Sequence, residues 1–572
     1  MKRHHIYHTV LGLAVAALAL TACSDEWNDH YEGQAIDLKN ASLWEAIQKD
    51  GSLSNFASVV QACGYDKALG SSQVFTVFAP TNDCFSSAEA QALIQQYNAE
   101  KGKVNDNENT TIKEFLQNHI ALYNHSISKT GTDSIVMMNG KYALLTPETI
   151  GGSRLLTTNQ HYGNGVLFTL GQQVTFYPNV FEYMRKDNDL DSIRSFFYNE
   201  MFYRSVFDAE ESVPGGIVDG KTVYLDSVFH QQNELFNYDF MQARLNSEDS
   251  TYWMVMPTNR AWRDLIDEYT SYFNYDNTVN KRDSLIYTNS RMAIVKGTAF
   301  SRTFNSDAAV RDSARSTNCV LDYNRRKNSW GADSLHYFQY YNPYQAGGIF
   351  SGTTNVNCSN GVIMKADEWH FDKTETFFQT RIIEAEARGA IKEVSMVDNP
   401  TKGTKEETIS PRIHYVEANN SFYNKVSNNG FVEFEQAKTT VNHSVTFNIT
   451  DVLSNIGYDI YLVTAPALAA DSTATAIQRL PNVLRCTLSY NDQDAKKQDN
   501  RIVSSVENNP DIVDYILLAE DFKFPVCSYG LNEDQPQVTL TVETRVTSTQ
   551  QRNNTHSRTM RIDCIILKPH VQ

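Results

Sequence analysis

The stretch VFTVFAPTNDCF, Val74 to Phe85, decides the fold, because the chain nearly repeats it as YWMVMPTNRAW, Tyr252 to Trp262. Pro80 matches Pro257, Thr81 matches Thr258, Asn82 matches Asn259 and Phe85 matches Trp262. In the first copy Phe75, Val77 and Ala79 alternate with Thr76 and Phe78, and both sets are mostly apolar. That pattern predicts a strand covered on both faces. Pro80 ends the ladder. Thr81 is placed to cap a short helix, with Asp83 in its first turn, where negative charge is favoured. Phe85 then turns back toward the core. Cys84 of the first copy is Ala261 in the second. A position that accepts Ala asks for a small side chain, not a nucleophile, so the stretch reads as a folding motif used twice.

Working outward, TVFAPTND-x-F, with Thr76, Pro80, Thr81, Asn82 and Phe85, resembles the first signature of fasciclin-like domains. LSNFASVVQACGYDKAL (Leu53–Leu69) resembles the family's opening helices, with Leu53, Phe56, Val60 and Cys63 at helical spacing. IKEFLQNHIALY (Ile112–Tyr123) resembles its central helix and following strand, with His119 at the family's histidine position. MMNGK (Met137–Lys141) and NGVLFTLGQQV (Asn164–Val174) resemble the closing hairpin and last strand. Their Asn-Gly pairs suit tight turns. A second set follows. NVFEYMRKDNDLDSIRSFF from Asn179 resembles the opening helices, and SRMAIVKGTAF (Ser290–Phe300) the central strand, with Ala293 and Ile294 in place of the His-containing pair. NCSNGVIMKADEW (Asn357–Trp369) resembles the closing strand. The resemblance implies two α+β domains concerned with adhesion and protein contact, without a shared catalytic centre.

After Trp369, strand-like runs separated by polar turns recur: RIIEAEA, FVEFEQA, HSVTFNITDVL, YDIYLVTAPA, RCTLSYN, YILLAEDFKF, QVTLTVETRV and RTMRIDCIILKP. They predict an all-β sandwich or jelly roll. The opening IIEAEA and closing RIDCIILKP resemble carbohydrate-binding modules of the family 6 type. That resemblance implies a structural calcium held by Glu384 or Glu386 with Asp563. Glu384 and Glu386 lie on one strand face, two apart, as shared metal binding needs. Solvated edge charges are the other reading. No other cofactor is expected.

The expected organisation is thus a leader at 1–22, an anchor and linker at 23–39, fasciclin-like domains at 40–178 and 179–370, and the β-domain at 371–572. The leader reading rests on MKRHHIYH followed by an apolar run, Val10 to Ala22, too short to span a bilayer. Leu20-Thr21-Ala22-Cys23 resembles a bacterial lipobox, which implies lipidation of Cys23. Ser24-Asp25-Glu26 resembles the surface-export signal of Bacteroidota lipoproteins. These resemblances imply anchoring in the outer membrane, facing outward.

The net charge of −17 makes nucleic acid a poor partner. The chain has no HExxH, GxSxG or GxxxxGK[ST]. DNDLDS, Asp187–Ser192, lacks the glycine and the last acid of a calcium loop. Of eight Cys, seven remain once Cys23 is lipidated, an odd number with no CxxC. A Cys63–Cys84 disulfide and buried free thiols both stay open. Trp330, Tyr337, Tyr340, Tyr341 and Tyr344 crowd one insertion. Exposed, they would stack on sugars or anchor a protein; the alternation Tyr337/Gln339/Tyr341 also fits a strand. The expected function is non-catalytic binding, accessory to glycan or nutrient capture by an outer-membrane import complex. An adhesin is the alternative, and a glycosidase a more distant one.

Overall fold

The doubled stretch folds into two strands of the same kind, β1 (Phe75–Pro80) and β10 (Tyr252–Pro257), with every residue of both buried. A computed structural model describes residues 40–104, 106–218, 221–237, 240–307, 309–322, 334–396, 411–435, 442–531 and 538–571. The chain divides into Met1–Tyr177 and Pro178–Gln572.

In the first unit β1 joins β2 (Ile120–Leu122), β3 (Asp133–Val136), β4 (Tyr142–Leu145), β5 (Thr149–Ile150), β6 (Ser153–Tyr162) and β7 (Gly165–Leu170). The sheet order is β2-β1-β7-β6-β5-β4-β3, with β1 and β7 parallel. A bridge from Met137 to Ala121 brings the two ends of this sheet together. Two cores explain why β1 is apolar on both faces. Phe75, Val77 and Ala79 pack under the opening helices with Leu43, Phe56 and Val60. Phe78 packs the other way, with Val166, Phe168 and Leu145. Thr76 meets its need for partners by donating to the Tyr123 carbonyl and accepting from the His125 N–H.

The second unit begins with the same parts. Helices Val180–Tyr183 and Asp191–Phe197 lead into a hairpin of β8 (Tyr203–Val218) and β9 (Lys221–Asn233). Then come β10, β11 (Ala299–Ser301), the pair β12 (Ser313–Asp322) and β13 (Ser334–Tyr341), β14 (Thr354–Cys358) and β15 (Gly361–Ala366). The sheet order is β11-β10-β15-β14, and β10 runs parallel to β15 as β1 does to β7. The duplication extends to single hydrogen bonds. Asn164 accepts from the Leu43 N–H and donates to the Leu69 and Ser71 carbonyls. Asn360 accepts from the Val180 N–H and donates to the Leu245 and Ser247 carbonyls. Asn82 and Asn259 tie their loops to the opening helices in the same way.

Two sequence expectations are corrected here. Thr81 caps no helix. Its hydroxyl donates to the Leu170 carbonyl, residues 82–84 form a turn, and the helix Ser87–Glu100 starts behind its own capping box at Ser86 and Glu89. Thr258 does cap a helix, Asn259–Tyr272. Residues Ser290–Val295 are not strand; they end the helix Arg282–Val295. The register places Thr298, not Ala293 or Ile294, at the position of His119. Phe78 donates to the His119 carbonyl, and Val255, at the corresponding place in β10, donates to that of Thr298.

The remaining strands are β16 (Arg381–Glu384), β17 (Ile391–Met396), β18 (Arg412–Tyr415), β19 (Gly430–Phe434), β20 (His443–Ile449), β21 (Tyr458–Thr464), β22 (Val483–Asn491), β23 (Lys497–Glu507), β24 (Asp514–Phe522), β25 (Val538–Thr544) and β26 (Met560–Pro569). They form two antiparallel sheets. One is β18-β19-β26-β21-β24 with β16 also paired to β26; the other is β17-β20-β25-β22-β23. Residues 179–370 and 371–572, read as separate domains, share one apolar cluster running from Val180 to Leu567. Phe377 packs on Tyr269, Tyr272 and Phe273, and the Tyr275 hydroxyl donates to the Tyr529 carbonyl at 2.7 Å. Among the described residues no helix is long and apolar enough to cross a membrane.

Candidate functional site

The first and last strands of the β-domain bring Glu384 and Asp563 together; Glu386, expected on one strand face with Glu384, lies instead in the turn just past β16. β16 pairs antiparallel with β26, with Glu384 opposite Cys564. Glu384 and Asp563 are buried, and Glu386 is half-buried. The turn Ser427–Asn429 closes over them. Ser427 donates its N–H to both oxygens of Asp563, at 3.1 Å each, and its hydroxyl to Glu384 Oε1 at 2.6 Å. Asn428 donates its side-chain amide to Glu386 Oε1 at 3.1 Å. Asn428 and Asn429 both hold positive φ, which asparagine tolerates better than most residues. Gly430 follows because a Cβ there would stand 2.7 Å from Glu386 Oε1.

These bonds leave Glu384 Oε2 and Glu386 Oε2 buried without a partner. Burial pushes the Asp563 carboxyl up to about 8, with the neighbouring charges of Glu384 and Glu386 adding to it. Burial likewise lifts Glu384 to about 7, and Glu386 moves the same way. Three acids in one pocket cannot all be charged unless a cation joins them. The donor set, hard carboxylate oxygens with two left unpaired, fits a divalent cation.

The insertion aromatics divide. Tyr340 is a correction: it is 2% exposed, edge-on to Phe300 and Phe371, and so is core rather than contact surface. Tyr337 lies under the Arg315 guanidinium, 3.5 Å from its ring centre. Tyr341 and Tyr344 are exposed, and Tyr344 rests on Phe350. Trp330 and Cys23 lie outside the described residues. His119 is a scaffold group: its Nδ1 bonds the Phe115 carbonyl and its Nε2 accepts from the Val174 N–H. Cys63 and Cys84 carry free thiols.

One surface was not anticipated. Strand register aligns Leu517, Tyr461, Ile566 and Ile382 across β24, β21, β26 and β16. Tyr515 stands beside them, and none of the five belongs to an apolar core cluster. Tyr515 and Leu517 are exposed and the other three half-buried. Period-two alternation in YILLAEDF and YDIYLVT carries this signal, but only pairing shows that the outward sets share a row.

No curated protein matches the chain. Among solved structures, the FAS1 domain pair of the insect cell adhesion molecule fasciclin I is similar over 57% of this chain and 99% of its own, at 12% identity and TM-score 0.19. The CBM22-1 xylan-binding domain from Paenibacillus barcinonensis is similar over 34% of this chain and 95% of its own, at 10% identity and TM-score 0.20. A family 11 carbohydrate-binding module from Clostridium thermocellum is similar over 31% and 97%, at 11% identity and TM-score 0.17. Residues 51–172 match the family model of the Fasciclin domain.

Proposed function

We propose that this chain is a non-catalytic binding protein, held at the cell surface by lipid on Cys23, that takes a glycan on the open face of its β16-β26-β21-β24 sheet. The observation that supports it is the row Leu517, Tyr461, Ile566, Ile382 with Tyr515 beside it, an apolar platform of a kind on which the C–H face of a sugar ring stacks. The polar residues of the doubled motif point the same way. Asn82, Asn164, His119 and their counterparts spend their hydrogen bonds on the scaffold, so both copies serve as support. The pocket of Glu384, Glu386 and Asp563 would hold a divalent cation, which would tie the first strand of the β-domain to the last. The setting we infer is an accessory role beside an outer-membrane import complex.

The test is a glycan-array scan of the purified chain with and without calcium, repeated with Tyr461→Ala and Tyr515→Ala. Saccharide binding that weakens roughly tenfold or more in the variants supports the reading. Silence across the array, or binding indifferent to both changes, overturns it. A second reading, adhesive protein contact, rests on Val74, Leu122 and Tyr123, exposed side by side at the β1–β2 edge with Tyr123 at φ +67°. Loss of cell attachment in Leu122→Ser/Tyr123→Ser would favour it.

A further inference from the structure

The carboxylate pocket also contains sulfur. Cys564 Sγ, a carboxylate oxygen of Asp563 and one of Glu384 all lie within 4.8 Å of one another. A backbone irregularity makes this possible. Val463 pairs with Cys564 and Thr464 with Ile562, so Asp563 is an extra residue in β26. Such a bulge breaks the alternation of a strand and lets two successive side chains turn to one side. Cys564 is 1% exposed, yet it belongs to no apolar cluster, whereas Cys486 and Cys527 are members of the shared core. Its surroundings are acids, and Glu384 Oε2, on a side chain only 6% exposed, still lacks a partner there.

We propose that Cys564 is a ligand in this pocket and that it turns the site toward a thiophilic divalent cation such as zinc rather than calcium. The inference rests on reading the pocket as a cation site. Calcium takes six to eight oxygens and has no use for a thiolate. Zinc takes four donors and accepts thiolate and carboxylate together. Cys564, Asp563 and Glu384 supply three donors within 4.8 Å of one another, and a water would complete the four. The thiol proton, and any proton on the carboxyls, leaves to solvent as the cation enters.

The experiment titrates the full chain with Cd²⁺, Zn²⁺ and Ca²⁺ separately, reading the ultraviolet sulfur-to-cadmium charge-transfer band, the binding isotherm and the melting temperature. We expect one Cd²⁺ whose band disappears in Cys564→Ser, and a Zn²⁺ affinity that falls roughly tenfold or more in that variant. A band that is absent, or unchanged in Cys564→Ser, overturns the proposal. If Ca²⁺ alone binds and raises the melting temperature, the cation reading stands and the thiol's role falls. If none of the three binds, both fall. Should Cys564→Ser not fold, Glu384→Gln keeps the thiol and the volume. A weakened cadmium band in it supports the proposal, and an unchanged one overturns it.

Discussion

His119 is held as one tautomer. Nδ1–H donates to Phe115, so Nε2 is left to accept from Val174. Protonating Nε2 would cost that bond and bury a charge, and burial lowers the imidazole from 6.5 to about 4. The unfolded chain therefore takes the proton first. The stability this contributes is complete above about 6.5 and lost as pH falls toward 4, on the order of 3 kcal/mol. Hydrogen exchange within Met1–Tyr177 should show that acid loss in the native chain and a flatter profile in His119→Gln. An equal loss in both would place the acid-sensitive group elsewhere. The second copy has Thr298 at this position, so no imidazole titrates there. His119 was legible in the sequence because a neighbouring motif aligned it. Its counterpart was not, because only hydrogen-bond register across β10 and β11 identifies Thr298.

Gly165 and Gly361 open β7 and β15 at φ +148° and +152°. A Cβ at either would stand 1.9 Å from the carbonyl oxygen of Phe75 or Tyr252. Gly165→Ala should destabilise the first unit by roughly 3 kcal/mol or more, since strain and clash add. A shift in denaturant midpoint under 1 kcal/mol would mean that β1 and β7 can separate without cost. At this scale the sequence was informative wherever burial was strong. All eight apolar runs after Trp369 became strands. β17, β18 and β23 were missed. β23 is KQDNRIVSSVE, largely exposed on a sheet edge. An edge strand is held by main-chain pairing and needs no apolar alternation. The helix expected after Thr81 did not form: residues 82–84 make a turn, and the helix starts at Ser87 behind its own capping box.

Across the whole molecule, residues 179–370 and 371–572 are joined by more than a linker. Asn274 accepts from the Cys527 N–H, Ser454 donates to the Tyr272 carbonyl, and fully buried Tyr275 reaches Tyr529. Tyr275→Phe keeps the packing but leaves the Tyr529 carbonyl unpaired, a loss of about 1–3 kcal/mol. In calorimetry both regions should shift down together as one transition. A shift confined to one region would show that they unfold independently. By itself the sequence determined the repeated motif and the change to β-structure after Trp369, since each is written as local pattern; the acids Glu384, Glu386 and Asp563 came only from a family resemblance, since they lie far apart in the chain. Tertiary structure alone decided that Tyr340 is core, that the second copy and the β-domain share an interior, and that a bulge turns Cys564 toward Glu384. Those depend on which distant strands pair and in what register, and register is set by the summed burial of the fold, not by any one segment.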